Sequence, residues 1–321
     1  MRITALLMLL LAGCNPAMAQ TYPSKPVTLI VPYAPGGGTD IIARLTAQAL
    51  FEAFGQSFIV DNRGGGGGMI GVEGAARATP DGYTLLFSST GPVTISPVLF
   101  KNRDFDPLAR LVPIVEVASN PTVLVVRSGL PAASIDELIA LSKKSPGALN
   151  MASAGNGSLQ HLAGEYFQAR TGVKWQHVPF RGSGPAFGEL IAGRVDVMVD
   201  VVPGVAQLVR DGKLRALSVL VPARSPQLPD VPTLAELGYP DFDISGWHAL
   251  FAPKGVPEEV VTRLNAAANK VLARPEFRAK LVALGAIAEG GTSGQLGLRM
   301  RRELHDWAEI IRNVGVTATA E

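Results

Sequence analysis

The chain has 321 residues, of which 47% are hydrophobic and 17% charged, a composition that fits a globular protein with a sizeable core. This length favours about two domains. The 29 basic and 27 acidic residues give a net charge of +2 and are interspersed, so the lack of a basic run argues against a nucleic-acid partner.

The N-terminus has the pattern of a secretory signal peptide, predicted over residues 1–19. A basic second residue precedes an apolar run at 3–13, which is too short to span a bilayer. Two cleavage sites fit this region. The LAGC sequence ending at Cys14 resembles a bacterial lipobox, which would leave Cys14 as a lipidated first residue. The AMA sequence at 17–19 would instead release a chain that begins at Gln20, and we slightly favour this form. We expect a periplasmic protein in either case.

Cysteine and histidine chemistry is limited in this chain. Cys14 is the only cysteine, so the folded body can contain neither a disulfide nor a cysteine nucleophile. The four histidines, His161, His177, His248 and His305, do not have the spacing of metal ligands. We therefore predict no metal site and no cofactor.

Strands and helices alternate along the first third of the chain. A β-branched strand at 27–31 precedes a helical period at 41–49, and strands at 58–60 and 83–87 flank a small-residue helix at 70–78. This β-α-β-α-β order predicts a parallel sheet with helices on both of its faces.

A second alternating series follows, and three helices end the chain. Strands are predicted at 123–126, 150–154, 195–202, 214–221 and 247–251, and helices at 159–170 and 184–192.

The two series indicate two α/β lobes joined by a hinge. The chain is expected to cross between them at 119–121 and again at 244–246. We predict that residues 20–120 and 246–321 form lobe 1 and that residues 121–245 form lobe 2, with a cleft between them.

A glycine-rich loop between the first strand and the first helix is the first candidate site. Glycines let backbone N–H groups approach a ligand closely, and the helix N-terminus adds partial positive charge, which suits a carboxylate or a phosphate. Thr39 or Asp40 would cap this helix. A plain strand-to-helix turn explains the loop equally well. Its residues are Pro35, Gly36, Gly37, Gly38, Thr39 and Asp40.

Residues 66–71 match the G-x-G-x-x-G pattern of dinucleotide-binding proteins. That fingerprint expects an acidic residue at the end of the next strand, but this strand ends in the sequence FSST at 87–90. Five consecutive glycines also satisfy the pattern by chance. We therefore favour a flexible turn over a cofactor site.

A second loop of glycine and serine, again between a strand and a helix, is the next candidate. It contains Ser153, Gly155, Asn156, Gly157 and Ser158, with His161 one turn into the helix. Two such loops that face one cleft would hold a small anion from both sides. An alternative is a serine hydrolase that uses Ser158 and His161 with Asp200. Neither Ser158 nor Ser183 lies in a G-x-S-x-G motif, which makes this alternative less favoured.

Two further positions complete the candidates. Arg181, followed by Gly182 and Ser183 at a helix start, could pair with a ligand carboxylate, although an isolated arginine is more often on the surface. Asp200 ends an apolar strand at its carboxyl end, where ligands of open α/β sheets bind. It could accept a hydrogen bond from a ligand amine or hydroxyl, or cap the next helix.

Taken in order, these motifs resemble the Bug-type substrate-binding proteins of tripartite tricarboxylate transporters. The resemblance covers almost the whole chain after the signal segment. It rests on YPSKP at 22–26, PGGGTD at 35–40, DNR at 61–63, PDGYTL at 80–85, AGNGS at 154–158 with His161, PFRGS at 179–183, GRVD at 193–196, GKLR at 212–215, VPT at 231–233 and GW at 246–247. The family usually has proline where this chain has Gly64, in a turn that we expect to lie away from the pocket.

The resemblance implies a periplasmic-binding-protein-like, two-lobed Venus-flytrap fold with the ligand between the lobes. The loops at Ala34 to Asp40 and at 153–158 would hold one carboxylate, while Ser89, Thr90, residues 181–183 and Asp200 would meet the variable end of the ligand. It also implies a monomeric solute-binding protein, not an enzyme. Such a protein captures a small di- or tricarboxylate, amino acid or aromatic acid and serves integral-membrane permease subunits.

Overall fold

The computed structural model describes residues 22–100 and 105–317. The predicted signal peptide and both cleavage sites lie outside these residues. Within them, no helix combines the length and the apolar character that crossing a membrane requires.

The described chain alternates strands and helices, as the sequence predicts. The strands are β1 (Val27–Val31), β2 (Phe58–Asn62), β3 (Thr84–Ser89), β4 (Leu111–Arg127), β5 (Asn150–Ser153), β6 (Gln176–Pro179), β7 (Val197–Val201), β8 (Leu214–Val219), β9 (Ser245–Pro253) and β10 (Ile287–Gly290). The helices are α1 (Gly38–Phe54), α2 (Met69–Ala76), α3 (Ser96–Leu99), α4 (Pro107–Arg110), α5 (Ile135–Lys144), α6 (Leu159–Thr171), α7 (Ser183–Ile191), α8 (Val202–Arg210), α9 (Glu258–Leu272), α10 (Pro275–Leu284) and α11 (Ser293–Val314).

All ten strands are connected by hydrogen bonding in the order β2-β1-β3-β9-β4-β7-β5-β6, and β8 and β10 also pair with β4. The parallel pairing predicted for the first series is confirmed, with β1 between β2 and β3. Parallel pairing also occurs in lobe 2, where β5 lies between β6 and β7. The connecting strands β4 and β9 pair antiparallel to their neighbours, which makes the sheet mixed.

Two strands carry the chain between the lobes, as predicted. The 17-residue strand β4 pairs with β9 in lobe 1 and with β7 and β8 in lobe 2. At the crossing, Asn120 lies opposite Gly246 and Pro121 lies opposite Ser245. The lobe boundaries at 120/121 and 245/246 stay a prediction.

Helices cover both faces of each half of the sheet. Within β1, Leu29 packs into the core shared with α1 and α9, whereas its neighbour Ile30 packs into the core shared with α2 and α11. Leu124 and Val125 of β4 likewise face opposite cores in lobe 2. Because both faces are buried, these strands are continuous apolar runs rather than alternating ones.

The last helix, α11, contacts both lobes. Its Met300 is buried in lobe 1, while Trp307 and Ile311 are buried with the apolar side chains that surround α6 in lobe 2. The apolar side chains of this helix therefore pack into the cores of both lobes.

Candidate ligand-binding cleft

The glycine loop of lobe 1 meets residues 181–183 of lobe 2 across the space between the lobes. The backbone N–H of Ala34, in lobe 1, donates to the carbonyl oxygen of Arg181, in lobe 2, at 2.9 Å. A Cβ added to Gly37 would lie 3.2 Å from Cβ of Ser183. The lobes are thus in a closed arrangement, and glycine permits it because a side chain at these positions would separate the loops.

Three helix N-termini converge on this closed space. The helix α1 begins at Gly38, next to Gly37, and α7 begins at Ser183. The helix α6 begins after Ser158, whose Cα would lie 3.1 Å from a Cβ at Gly91 of lobe 1. Helix N-termini present unpaired N–H groups and partial positive charge, so the arrangement favours an anion between them.

The predicted cap of α1 is wrong in detail, because Gly37 is the N-cap residue and no side chain caps this helix. Asp40 points away from a ligand role: its carboxylate accepts hydrogen bonds from the N–H of Gly36 and from Arg44 and Asn62. Burial would raise the pKa of Asp40, but these hydrogen bonds and the charge of Arg44 together outweigh it and lower the pKa. Asp40 therefore shapes the glycine loop from within lobe 1.

Thr39 belongs to a buried polar chain that sequence reasoning missed. Its Oγ1 lies 3.0 Å from Nε2 of His248, and Nδ1 of that histidine lies 2.8 Å from Nδ2 of Asn120. Burial lowers the pKa of His248 to about 3, so its ring is neutral. The chain links the start of α1 to both hinge strands.

The end of β3 contributes Ser89 and Thr90. Oγ1 of Thr90 accepts a hydrogen bond from the backbone N–H of Trp247 at 3.0 Å. Ser89 interacts with the hydroxyl of Tyr33, a buried side chain that the sequence analysis did not single out although it directly precedes Ala34. Both side chains therefore form hydrogen bonds within lobe 1.

The backbone of the loop at 153–158, in lobe 2, contacts lobe 1. A Cβ on Gly67 would clash with the carbonyl oxygen of Asn156, and Oγ of Ser96 donates to the carbonyl oxygen of Gly157 at 3.2 Å. Gly66–Gly68 form a 3₁₀ turn. The G-x-G-x-x-G segment is thus a turn, and it packs against the loop at 153–158.

Ser158 and His161 are not arranged as a nucleophile and its base. Oγ of Ser158 accepts from the backbone N–H of His161, which is an N-cap contact. Nδ1 of His161 instead accepts from the backbone N–H of Gly157 at 3.2 Å, and its ring stacks on His177 at 3.9 Å. Burial and the neighbouring His177 lower the pKa of His161 to about 3, which makes it a poor base at neutral pH. Oγ of Ser153, at the start of this loop, lies 2.6 Å from Nε2 of His177.

Asp200 is fully buried at the end of β7. Its Oδ1 accepts from Nε2 of Gln160 at 3.0 Å and from the N–H of Val201 at 2.6 Å. Burial raises its pKa to about 6, although Ser183, Gln160 and the Val201 amide act in the opposite sense. Gln160 was missed by sequence reasoning, because a glutamine in the first turn of a helix carries no signal by itself.

Arg181 and Gly182 lie at the edge of the cleft. The exposed side chain of Arg181 lines a cavity of about 590 Å³ together with Phe180, Pro185 and residues 64–66. The expectation that Gly64 lies away from the pocket is wrong, because a Cβ on Gly64 would lie 2.5 Å from the carbonyl oxygen of Arg181 and 2.9 Å from the N atom of Ala34. Gly64 therefore borders the contact between the lobes.

Within the described ranges, no cluster of three or more His, Cys, Asp or Glu side chains has an arrangement that could hold a metal ion.

The chain is similar to known proteins of one family. Residues 42–316 match the family described as the tripartite tricarboxylate transporter family receptor. The protein BugT of Bordetella pertussis is 40% identical over 301 residues, which cover 94% of this chain and 92% of BugT.

Three solved structures share the fold. The periplasmic binding protein BugD is 35% identical with a TM-score of 0.89, and the match covers 93% of this chain and all of BugD (100%). Rpa4515 of R. palustris with adipate is 34% identical with a TM-score of 0.89, covering 92% of this chain and 99% of that one. MatC of Rhodopseudomonas palustris with bound malate is 32% identical with a TM-score of 0.86, covering 90% and 100% of the two chains.

These matches confirm the predicted fold class, two α/β lobes of the periplasmic-binding-protein type. The chain belongs to the tripartite tricarboxylate transporter receptor family and is a Bug-type solute-binding protein.

Proposed function

We propose that the chain binds a small carboxylate in the cleft bordered by residues 34–40 and 89–90 of lobe 1 and by residues 153–158, 181–183 and Asp200 of lobe 2. The observation that supports this most directly is the convergence of the N-termini of α1, α6 and α7 on one closed space. Backbone N–H groups from both lobes would replace the hydration shell of the carboxylate, and closure would bury it.

The relatives support the carboxylate class. Rpa4515 was solved with adipate and MatC with malate, and both are dicarboxylates on closely similar folds. The ligand of this chain is therefore sought among small di- and tricarboxylates, amino acids and aromatic acids.

The protein acts, in this proposal, as the periplasmic receptor of a transporter and not as an enzyme. Membership in a transporter receptor family supports delivery of the ligand to integral-membrane permease subunits. The contacts of Ser158 and His161 give no support to the hydrolase alternative. We expect a monomer, and mass spectrometry of the mature N-terminus will decide between a lipid anchor on Cys14 and release from Gln20.

A thermal-shift screen of the mature protein against mono-, di- and tricarboxylates tests the proposal. A ligand at 100 times its dissociation constant stabilises the folded state by about 2.7 kcal/mol, which shifts the melting midpoint by several degrees. We expect a shift with carboxylates alone. No shift across the panel would contradict the carboxylate class.

A pair of alanine variants in α7 tests whether the cleft is the site. In Gly184→Ala the added Cβ would clash with the carbonyl oxygen of Pro35 across the cleft, whereas a Cβ on Gly188 meets nothing within 4 Å. We expect Gly184→Ala to abolish the ligand-induced shift and Gly188→Ala to retain it. Equal shifts in the two variants would place the ligand elsewhere.

A further inference from the structure

One oxygen of the Asp200 carboxylate has no hydrogen-bond partner among the residues that the structure describes. Oδ1 accepts two hydrogen bonds, from Gln160 and Val201, whereas Oδ2 is buried without a hydrogen-bond partner among the described residues. Buried polar atoms are nearly always paired, because an unpaired one loses its hydration without compensation. Oδ2 is therefore an acceptor available to a group that this chain does not supply.

Asp200 lies where the two lobes and the hinge meet. Gln160 and Ser183 interact with its carboxylate from the first turns of α6 and α7 in lobe 2. In lobe 1, burial raises the pKa of the neutral Tyr33 hydroxyl, and the Asp200 carboxylate lies close enough to raise it further. The next residue, Val201, would lie 3.4 Å from a Cβ on Gly246 of the hinge strand and contacts Gly38 of α1. The unpaired acceptor thus belongs to the same closed space as the three helix N-termini.

No basic side chain neutralises this carboxylate. Across the part of the chain that the structure describes, Asp200 forms no ion pair. Arg194, which lies just before β7, forms an ion pair with Glu189, and Arg127 forms an ion pair with Asp196. The Arg181 side chain is exposed at the edge of the cleft. The space between the lobes is therefore bordered by the backbone N–H donors of the three helix N-termini and by the Asp200 carboxylate, which has no positive partner in the described chain.

We propose that Asp200 determines the specificity of the cleft: the ligand is a carboxylate that presents a hydroxyl or ammonium donor to Oδ2, and a ligand with a second ionised carboxylate at that end is rejected. This inference rests on the proposed carboxylate function. A donor at Oδ2 satisfies a buried acceptor, whereas a second carboxylate would place two negative charges together in a buried space.

Calorimetric titration at pH 8.0 with matched ligands tests the inference. Two series vary only the end group: butanoate, 4-hydroxybutanoate, 4-aminobutanoate and succinate, and hexanoate, 6-hydroxyhexanoate, 6-aminohexanoate and adipate. In at least one series we expect the hydroxy or amino acid to bind about tenfold or more tighter than both the unsubstituted acid and the dicarboxylate, since hydrogen bonds to charged groups are strong. The hydroxy and amino compounds together show which donor is preferred.

Asp200→Asn tests the residue itself. The amide keeps an oxygen for Gln160 and Val201 but removes the charge and converts the open acceptor into a donor. We expect the preference for the donor ligand to disappear and the affinity for the matching dicarboxylate to rise. The control Asp196→Asn, just before the same strand, removes the charge that pairs with Arg127 and the oxygen that accepts from the N–H of Asn150, and it should leave the ligand preference unchanged.

The outcomes separate the two proposals. Wild-type protein that binds the dicarboxylate as tightly as the hydroxy and amino acids overturns the role of Asp200 and leaves the carboxylate function standing. The same conclusion follows if Asp200→Asn retains the wild-type preference. Absence of binding to every carboxylate overturns the proposed function and this inference with it. The wild-type comparison decides the question even if the variant does not fold.

Discussion

Nε2 of His248, on the hinge strand β9, lies 3.0 Å from Oγ1 of Thr39, in the first turn of α1. The amide of Asn120 fixes the direction of this contact, because its Nδ2 also lies 3.3 Å from the carbonyl oxygen of Ala118 and must donate there. Nδ1 of His248 is then the acceptor, so Nε2 carries the proton and donates to Thr39. Among the described residues the Thr39 hydroxyl donates no hydrogen bond, so its proton is available to the carboxylate of the proposed site.

Thr39→Val should therefore weaken carboxylate binding by about tenfold, the loss of one hydrogen bond to a charged group. The side chain keeps its shape, so the fold should persist. Calorimetric titration of the best ligand from the screen measures the effect. Thr46→Val is the matched control, because Thr46 is equally buried in α1 but its hydroxyl donates to the carbonyl oxygen of Ile42. Equal affinities for the two variants would show that Thr39 does not contact the ligand.

Ser158→Ala should act on stability and not on any turnover. Its hydroxyl caps α6, and loss of an N-cap side chain costs about 1 kcal/mol. Urea unfolding should show a similar loss for Ser134→Ala, which removes the corresponding cap of α5 far from the cleft. Hydrolysis of p-nitrophenyl acetate that the wild-type protein performs and Ser158→Ala does not would revive the hydrolase alternative.

Neutral buried His248 should make the protein less stable in acid. Burial lowers its folded-state pKa from 6.5 to about 3, so the unfolded state takes up a proton first as the pH falls. The stability that this residue contributes is present above pH 6.5 and is lost as the pH falls towards 3. Between pH 7.5 and 5.0 the loss should be about 2 kcal/mol.

The measurement is the free energy of unfolding in urea at the two pH values. His248→Gln should reduce the pH dependence by that amount, while the exposed His305→Gln should not change it. An unchanged dependence in His248→Gln would mean that His248 is charged in the folded protein.

The sequence predicted the elements of this fold better than its contacts. Apolar runs such as 27–31 and the helical period at 41–49 are local patterns, so their strand and helix can be recognised from neighbouring residues alone. The hinge followed from the order of elements along the chain. The contact of Thr39 with His248 joins residues 209 positions apart and depends on the register of β9 against β4, which no local pattern specifies.

In the candidate site, too, local features were predicted and features that depend on distant residues were not. The glycine loops were recognised because glycines directly before a helix form a pattern of neighbouring residues. The helix-cap role of Asp40 and the position of Gly64 were misjudged because both depend on partners that are distant in the sequence. Asp40 is engaged by Asn62 of β2, and Gly64 is pressed against Arg181 of the other lobe. Oδ2 of Asp200 is unpaired because, within the described part of the chain, none of the surrounding elements places a donor beside it. This depends on the whole tertiary structure, so no sequence motif predicts it.

Asp200→Asn should stabilise the protein at neutral pH while it changes ligand preference. Burial raises the folded-state pKa of Asp200 from 3.8 to about 6. The favourable contribution of such a group is fully present below pH 3.8 and is lost as the pH rises through 6. At pH 7.5 the wild-type protein therefore carries the cost of a buried charge, up to about 3 kcal/mol at 1.36 kcal/mol per pKa unit.

The measurement is urea unfolding of the ligand-free protein at pH 7.5 and pH 4.5. Asp200→Asn should be more stable than wild type at pH 7.5, and the difference should shrink at pH 4.5, where the carboxyl is protonated in the folded state. Asp196→Asn should instead be destabilised at pH 7.5, since it loses the charge that pairs with Arg127 at 2.8 Å and the acceptor of the Asn150 N–H. A stabilising substitution that also removes the ligand preference would show that the charge of Asp200 is kept for binding at the expense of stability. Equal destabilisation of Asp200→Asn at both pH values would mean that its carboxylate is satisfied by the protein.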